Sequence, residues 1–212
     1  MEQMTTKERI LHEAIELFSR YGYEAVSVGQ IAAAVGIQAP SLYKHYKSKQ
    51  DIFDAIFEMM QRRYDEQTEK MELHISNATA DQKHFSAIDA NRLVEQVQEL
   101  VRYSLHDEYI SRFRRLMTIE QYRSPELSAL YTARYVERLV DYHEKLFAGL
   151  ISAGVLKNGD VHSMALQYTC PILILLSVCD RQPDMETQTM EQIEAHIRQF
   201  LAANQTGKMG KR

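Results

Sequence analysis

The sequence predicts an all-α protein, on three observations. Only 8 Gly and 4 Pro punctuate 212 residues. Ala, Leu, Glu, Gln, Arg and Met, all good helix formers, are plentiful. Apolar residues recur at three- and four-residue spacing, with no strand-like alternation and no internal repeat. Hydrophobic residues at 45% and charged residues at 25% suit a soluble globular chain, and the length suits one large domain or two small ones.

The elements follow in order. Thr5 and Glu8 have capping-box spacing, and Ile10, Leu11, Ala14, Ile15, Leu17 and Phe18 then give an amphipathic first helix that stops near Gly22. Ser27 and Gln30 form a second capping-box pattern, followed by Val28, Ile31, Ala32 and Val35 on one face of a two-turn helix. After the turn at Gly36 comes a short segment holding Pro40, Leu42 and Tyr46. Ser48 and Asp51 start a helix with Ile52, Phe53, Ile56, Phe57 and Met60 inward, running to about residue 75. Periodicity weakens over 76–86, which predicts a loop. Helices resume near Ala87 and again over about Glu108–Tyr122. Ser124-Pro125 restarts the chain as N-cap and N1, and a stripe from Leu127 to Leu150 predicts a helix of about 24 residues. Gly154 and Asn158-Gly159 are turns. An uncharged helix over 161–179 and a last amphipathic helix carrying Met190, Ile193, Ile197, Phe200 and Leu201 complete the chain. Residues 206–212 read as a disordered tail.

The net charge of -4 argues against coating nucleic acid by charge alone. The excess negative charge falls after residue 50. Cys170 and Cys179 lie on one helix, where they cannot reach disulfide geometry. No Cys/His spacing suggests a metal site, and no motif calls for a cofactor. The start MEQMTTKERI lacks an apolar signal region, so a cytoplasmic location is expected. Residues 161–179 are uncharged, but Gln167, Thr169, Pro171 and Ser177 interrupt them, so a buried helix is expected rather than a membrane span.

Residues 27–47 have the layout of a helix-turn-helix. Ala32 is small where a second helix must cross closely, Gly36 can take positive φ, and Ile37 and Leu42 fill the gap. Pro40 falls in a first helical turn, where its missing N–H costs nothing. With Leu42 and Tyr46 inward, the outer face carries Gln38, Ala39, Ser41, Tyr43, Lys44 and His45, with Lys47 and Lys49 beyond. Short polar residues suit base edges, and cations and hydroxyls suit phosphates. Ser27 opens a helix whose free N–H groups can meet a phosphate.

This segment closely resembles the DNA-binding region of TetR-family bacterial regulators, through Phe18, Gly22, Tyr23, Ile31, Ala32, Val35, Gly36, Ile37, Leu42, Tyr43, His45, Tyr46, Lys49 and Ile52. The resemblance covers about residues 7–55; the remainder is similar in helix layout. Gln38, Pro40 and Gln50 depart from the usual Ser, Gly and Glu. The resemblance implies a three-helix DNA-binding domain (1–50), then a linking helix and a helical ligand-binding and dimerisation domain (51–205). It implies a homodimer on palindromic double-stranded DNA, released by a small-molecule effector. Ser27, Tyr43 and Lys49 then look like phosphate contacts. Gln38, Ala39, Ser41, Lys44 and His45 look like the base-reading set, with Pro40 and Lys47 beside it.

In the remainder, Tyr103, Phe113, Met117, Tyr131, Tyr135, Tyr142 and Tyr168 are candidate pocket walls, although an aromatic stripe at helical spacing is also what a plain core contains. The uncharged helix is apolar all round and should be buried all round. Ile172, Leu173 and Leu176, with Ile193, Ile197 and Phe200 of the last helix, are therefore the candidate dimer interface. An activator, or a regulator without an inducer, fits the same residues. A helical enzyme or scaffold is the alternative of another class, but no Ser/His/Asp grouping, phosphate-cradling loop or carboxylate pair supports catalysis.

Overall fold

A computed structural model of the protein describes residues 4–74 and 77–207. Among these residues there is no strand, and a single isolated bridge pairs Leu156 with Gln205. The helices are α1 (Thr6–Tyr21), α2 (Val28–Val35), α3 (Ala39–Leu42), α4 (Lys49–Lys70), α5 (Ala78–Ala87), α6 (Ala90–His106), α7 (Glu108–Glu120), α8 (Pro125–Tyr131), α9 (Arg138–Ser152), α10 (Val161–Arg181) and α11 (Glu186–Asn204). The chain forms two compact units, the first comprising residues up to Tyr64 together with Glu108–Ala129, the second Asp65–Asp107 and Leu130 onward.

The first unit is built on local signals. Both capping boxes form: Thr5 and Ser27 accept from the amides of Glu8 and Gln30, whose side chains return to the cap amides. Ser48 Oγ accepts from the Asp51 amide at 2.9 Å and starts α4. The apolar faces of α1, α2 and α4 meet in one core. Phe18, Tyr23, Phe53 and Phe113 form a run of rings with neighbouring centroids 5.0 to 6.1 Å apart. The α7 helix belongs here because Phe113, Leu116 and Met117 are buried in this core. Arg112 ties its outer side to Glu16 of α1 and to Glu108.

In the second unit, α9, α10 and α11 pack together with α5 and α6 around a core that includes Leu93, Val140, Leu146, Tyr168, Ile193 and Ile197. Three expectations change. The stretch predicted as a loop over 76–86 contains α5, capped by Asn77; Ser76 lies outside the described residues. Its periodicity was hidden because an inward position is the carboxylate of Asp81. That group is fully buried and accepts from the His74 amide, from His74 Nδ1 and from the Tyr142 hydroxyl. The long helix after Pro125 is interrupted by a π-helical stretch, Thr132–Glu137. Past it Val140 is buried where Leu139 is only half-buried, and Tyr142, Leu146 and Leu150 of the expected stripe are buried as well. The tail expected from residue 206 begins ordered. The Thr206 amide and hydroxyl bond the Val155 and Gly154 carbonyls at 3.1 and 2.6 Å; residues 208–212 lie outside the described ones.

The α10 helix is long and apolar enough to cross a bilayer by length and composition. It continues through Pro171 and buries Met164, Ala165, Tyr168, Thr169, Leu176 and Cys179 within its unit. The burial expected on all sides is therefore one-sided in a single chain, and Ile174 is 64% exposed.

Candidate nucleic-acid interface

The turn between α2 and α3 closes as its residues require. Gly36 takes φ 78°, in the left-handed region. Its amide bonds Ala33 O at 3.1 Å, and the Ile37 amide bonds Ala32 O at 3.0 Å, a Schellman-type helix end. Ala32 and Leu42 are buried, and Ile37 is half-buried. Gln38 caps α3 without a side-chain hydrogen bond, and Pro40 sits in the first turn. The segment then tightens: the His45 amide bonds Leu42 O at 2.8 Å and the Tyr46 amide bonds the same oxygen at 3.1 Å. Tyr46 is thereby turned inward, and burial pushes its hydroxyl up to about 12.

Gln38, Pro40, Tyr43, Lys44, His45 and Lys47 are exposed on the outer side, and Ala39 and Ser41 are half-buried among them. Tyr43 and Tyr46 therefore differ in kind, the first being 52% exposed and the second 5%. Ser27 is exposed, but its hydroxyl is engaged with Gln30 in the capping box. The amides of Val28 and Gly29, as at any helix start, are left to an outside acceptor.

Lys49 is placed differently from the other basic residues. Its ammonium donates to Tyr23 O at 2.9 Å and to Glu24 O at 3.4 Å, and lies 4.3 Å from the centroid of the Tyr23 ring. A lysine has three N–H donors, and two are directed at the turn between α1 and α2. Two further cations are used inside the unit, and sequence reasoning did not single them out. Arg9 donates to the Val35 carbonyl at the end of α2, and Lys7 lies 5.5 Å over the Tyr46 ring. Nothing in a charge count separates such clamps from surface cations, although a cation at a helix C-terminus is a known stabilising pairing. Gln50, where the resembling family has Glu, accepts from the Tyr23 hydroxyl at 2.9 Å and donates to Asp54 at 2.9 Å.

The candidate pocket residues are distributed over both units. Phe113 and Met117 are fully buried in the first unit, against α4. In the second unit, Tyr131 and Tyr135 stack on each other at 5.1 Å, the Tyr142 hydroxyl is held by Asp81, and Tyr103 is half-buried. Of the set, Tyr168 alone lines a cavity of about 40 Å3 in that unit, beside His143, Phe147 and Phe200. The candidate dimer residues also divide. Leu176, Ile193, Ile197 and Phe200 are buried in their own unit's core and Ile172 packs against it, whereas Leu173 is half-buried beside exposed Ile174. The last helix turns these apolar residues inward because its outer face is polar, through Glu191, Gln192, Arg198 and Gln199. Among the described residues no group of three or more His, Cys, Asp or Glu could hold a metal ion.

The family description "Bacterial regulatory proteins, tetR family" matches residues 10–56, the span that holds this turn. Over 58 residues the chain is 40% identical to the HTH-type transcriptional regulator AcrR of Shigella flexneri, covering 27% of each chain. The aligned stretch thus spans about a quarter of that curated relative's length. A TetR-family transcriptional regulator from Mesorhizobium loti shares the fold with a TM-score of 0.71 at 21% identity, over 95% of this chain and 97% of that one. SmeT, the repressor of the Stenotrophomonas maltophilia multidrug efflux pump SmeDEF, matches with a TM-score of 0.67 at 21% identity, over 97% and 93%. The family match thus covers the helix-turn-helix segment, residues 10–56, and the solved structures share the all-α fold of the whole chain.

Proposed function

We propose that the protein is a cytoplasmic, homodimeric transcriptional repressor that binds a palindromic DNA operator and leaves it when a small molecule binds its second unit. The observation that carries this reading is the exposed row Gln38, Tyr43, Lys44, His45 and Lys47 on a helix-turn-helix whose inward residues are all accounted for. Gln38, Ser41, Lys44 and His45 face base edges in the major groove. Tyr43, Lys47 and the start of α2 at Ser27 hold phosphates on either side. Residues 1–50 act as the DNA-binding domain, and 51–205 carry effector binding and dimerisation.

A two-fold dimer supports the palindrome, because symmetry presents two recognition segments to two half-sites. Leu173 and Ile174 on the outward side of α10 supply an apolar face for a second copy. Repression is supported by the names of relatives such as the tetracycline repressor of Escherichia coli. The test is selection of binding sites from a randomised duplex library, followed by titration in rising salt. Enrichment of an inverted repeat with a steep salt dependence is the expected result. Absence of binding across the library at low salt refutes the reading.

A further inference from the structure

We infer that the cavity between α9, α10 and α11 is the effector site, and that it takes a small uncharged aromatic molecule whose single N–H or O–H donates a hydrogen bond to His143 Nε2. The inference rests on the reading of the second unit as an effector domain.

The argument begins with the tautomer. His143 Nδ1 lies 2.8 Å from the Leu139 carbonyl oxygen. A carbonyl can only accept, so Nδ1 carries the proton and Nε2 presents a bare lone pair. No hydrogen bond engages that nitrogen among the described residues, although the ring lies within a desolvated cluster. Burial lowers the imidazole to about 4, so it stays neutral at any cellular pH. His143 nevertheless keeps some accessible surface, and it lines the cavity. Surface and desolvation coexist when the surface faces an internal cavity rather than bulk water.

The walls define the rest of the ligand. The His143 and Tyr168 ring centroids are 5.1 Å apart, Phe147 and Phe200 stack at 5.4 Å, and Tyr168 meets Phe200 edge-on at 5.0 Å. Phe85 of α5 and leucine and valine side chains close the remaining sides, and among the described residues no Asp, Glu, Lys or Arg lines the cavity. A charged ligand would pay desolvation with no counter-charge, whereas a flat ring matches the walls. The void of about 40 Å3 accommodates water but is well below the ~150 Å3 that admits a benzene ring. Entry of a ring must therefore displace one or more of the wall side chains, which α5, α6, α9, α10 and α11 contribute. A ligand that fits only the displaced packing necessarily favours it, as an effector must.

Indole and toluene are the probes, of similar shape but with and without a donor. In calorimetric titration of the full chain, indole should bind about tenfold more tightly than toluene, the ratio one hydrogen bond sustains. His143→Phe should erase that ratio. On the wild-type protein, the 15N shift of His143 Nε2 should move with indole and stay with toluene, a readout independent of any variant's folding. Equal affinity for the two probes, or an unmoved Nε2, overturns the inference. Indole that binds through Nε2 yet leaves a DNA complex intact supports this site while refuting ligand release. An unmoved Nε2 with DNA binding preserved refutes this site alone.

Discussion

Lys47 and Lys49 are two residues apart, yet the structure surrounds them differently, and under the proposed function replacing each by alanine separates two roles. Lys47 is exposed and its side chain has no partner among the described residues, only its amide being held, by Asp51 at 2.9 Å. On the proposed two-fold dimer, Lys47→Ala removes two phosphate contacts. At roughly 0.9 counterions released per contact, Lys47→Ala should flatten the slope of log K against log[salt] by about 1.8 and weaken binding roughly thirty-fold at 0.15 M salt. It should leave the unfolding midpoint within about 1 °C, since an exposed lysine contributes little. Lys49→Ala removes a charge-assisted hydrogen bond to Tyr23 O and a cation–π contact at 4.3 Å, both half-buried. Their loss should cost about 1–2 kcal/mol. For a chain of this length that is roughly 3–6 °C of melting temperature. The salt slope should fall by less than half the Lys47 change.

The assay is fluorescence anisotropy on a selected operator from 50 to 400 mM KCl, paired with calorimetric melting. If Lys49→Ala flattens the slope as much as Lys47→Ala and leaves the melting temperature unchanged, the ammonium of Lys49 is on phosphate and the clamp assignment is wrong.

Three further outcomes follow from the second unit. Ile174→Arg, at a position 64% exposed in the single chain, should yield a folded monomer in sedimentation, while Leu176→Arg, buried in the core, should unfold the unit; an intact dimer for Ile174→Arg moves the interface elsewhere. Asp81→Asn turns an amide toward a site where Asp81 accepts from His74 N at 2.8 Å and from the Tyr142 hydroxyl at 2.5 Å. It should cost roughly 2–4 kcal/mol in urea unfolding, and a change under about 0.5 kcal/mol would contradict the described network. His143 takes up its proton near 6.5 when unfolded but only near 4 when folded. The unfolded state therefore binds the extra proton between those values, so this residue's contribution is complete above about pH 6.5 and falls away toward pH 4, by at most roughly 3 kcal/mol. His143→Phe should remove that segment of the stability profile relative to wild type, and superimposable profiles would show that the ring is not desolvated.

What could be read from sequence, and what could not, divides by the range of the interaction. The caps at Thr5, Ser27 and Ser48 were legible because donor and acceptor lie three residues apart, and the turn at Gly36 because one residue type meets its φ of 78°. The outward placement of Tyr43, Lys44 and His45 was legible for the same reason: with Leu42 and Tyr46 inward, helical spacing directs the three residues between them to the surface. The α5 helix was not legible, because its inward Asp81 is satisfied by His74 and Tyr142, the latter 61 positions away. Read locally, a carboxylate there simply breaks the apolar period. The distribution of the candidate pocket residues over two units was hidden in the same way. Spacing placed seven aromatic and sulfur-bearing side chains on central helices, but partition of those helices between two cores depends on contacts such as Phe53 with Phe113, which no periodicity contains.

The role of a cation is the sharpest case of this limit. Arg9, Lys49 and Lys47 are equivalent in a charge count, yet Arg9 and Lys49 terminate on carbonyl oxygens at the ends of α2 and of the α1–α2 turn. Each of those carbonyls lies 26 positions away in sequence. A helix-turn-helix must hold its recognition segment rigidly on a small core, and backbone carbonyls left over at helix ends are the available anchors. Cations in such a unit are therefore recruited to geometry before they are available to phosphate. It follows that the electrostatic contribution to DNA binding should be smaller than the Lys and Arg content of residues 1–50 suggests. The measured salt slope should track the exposed Lys44 and Lys47 of two protomers rather than the full cation count.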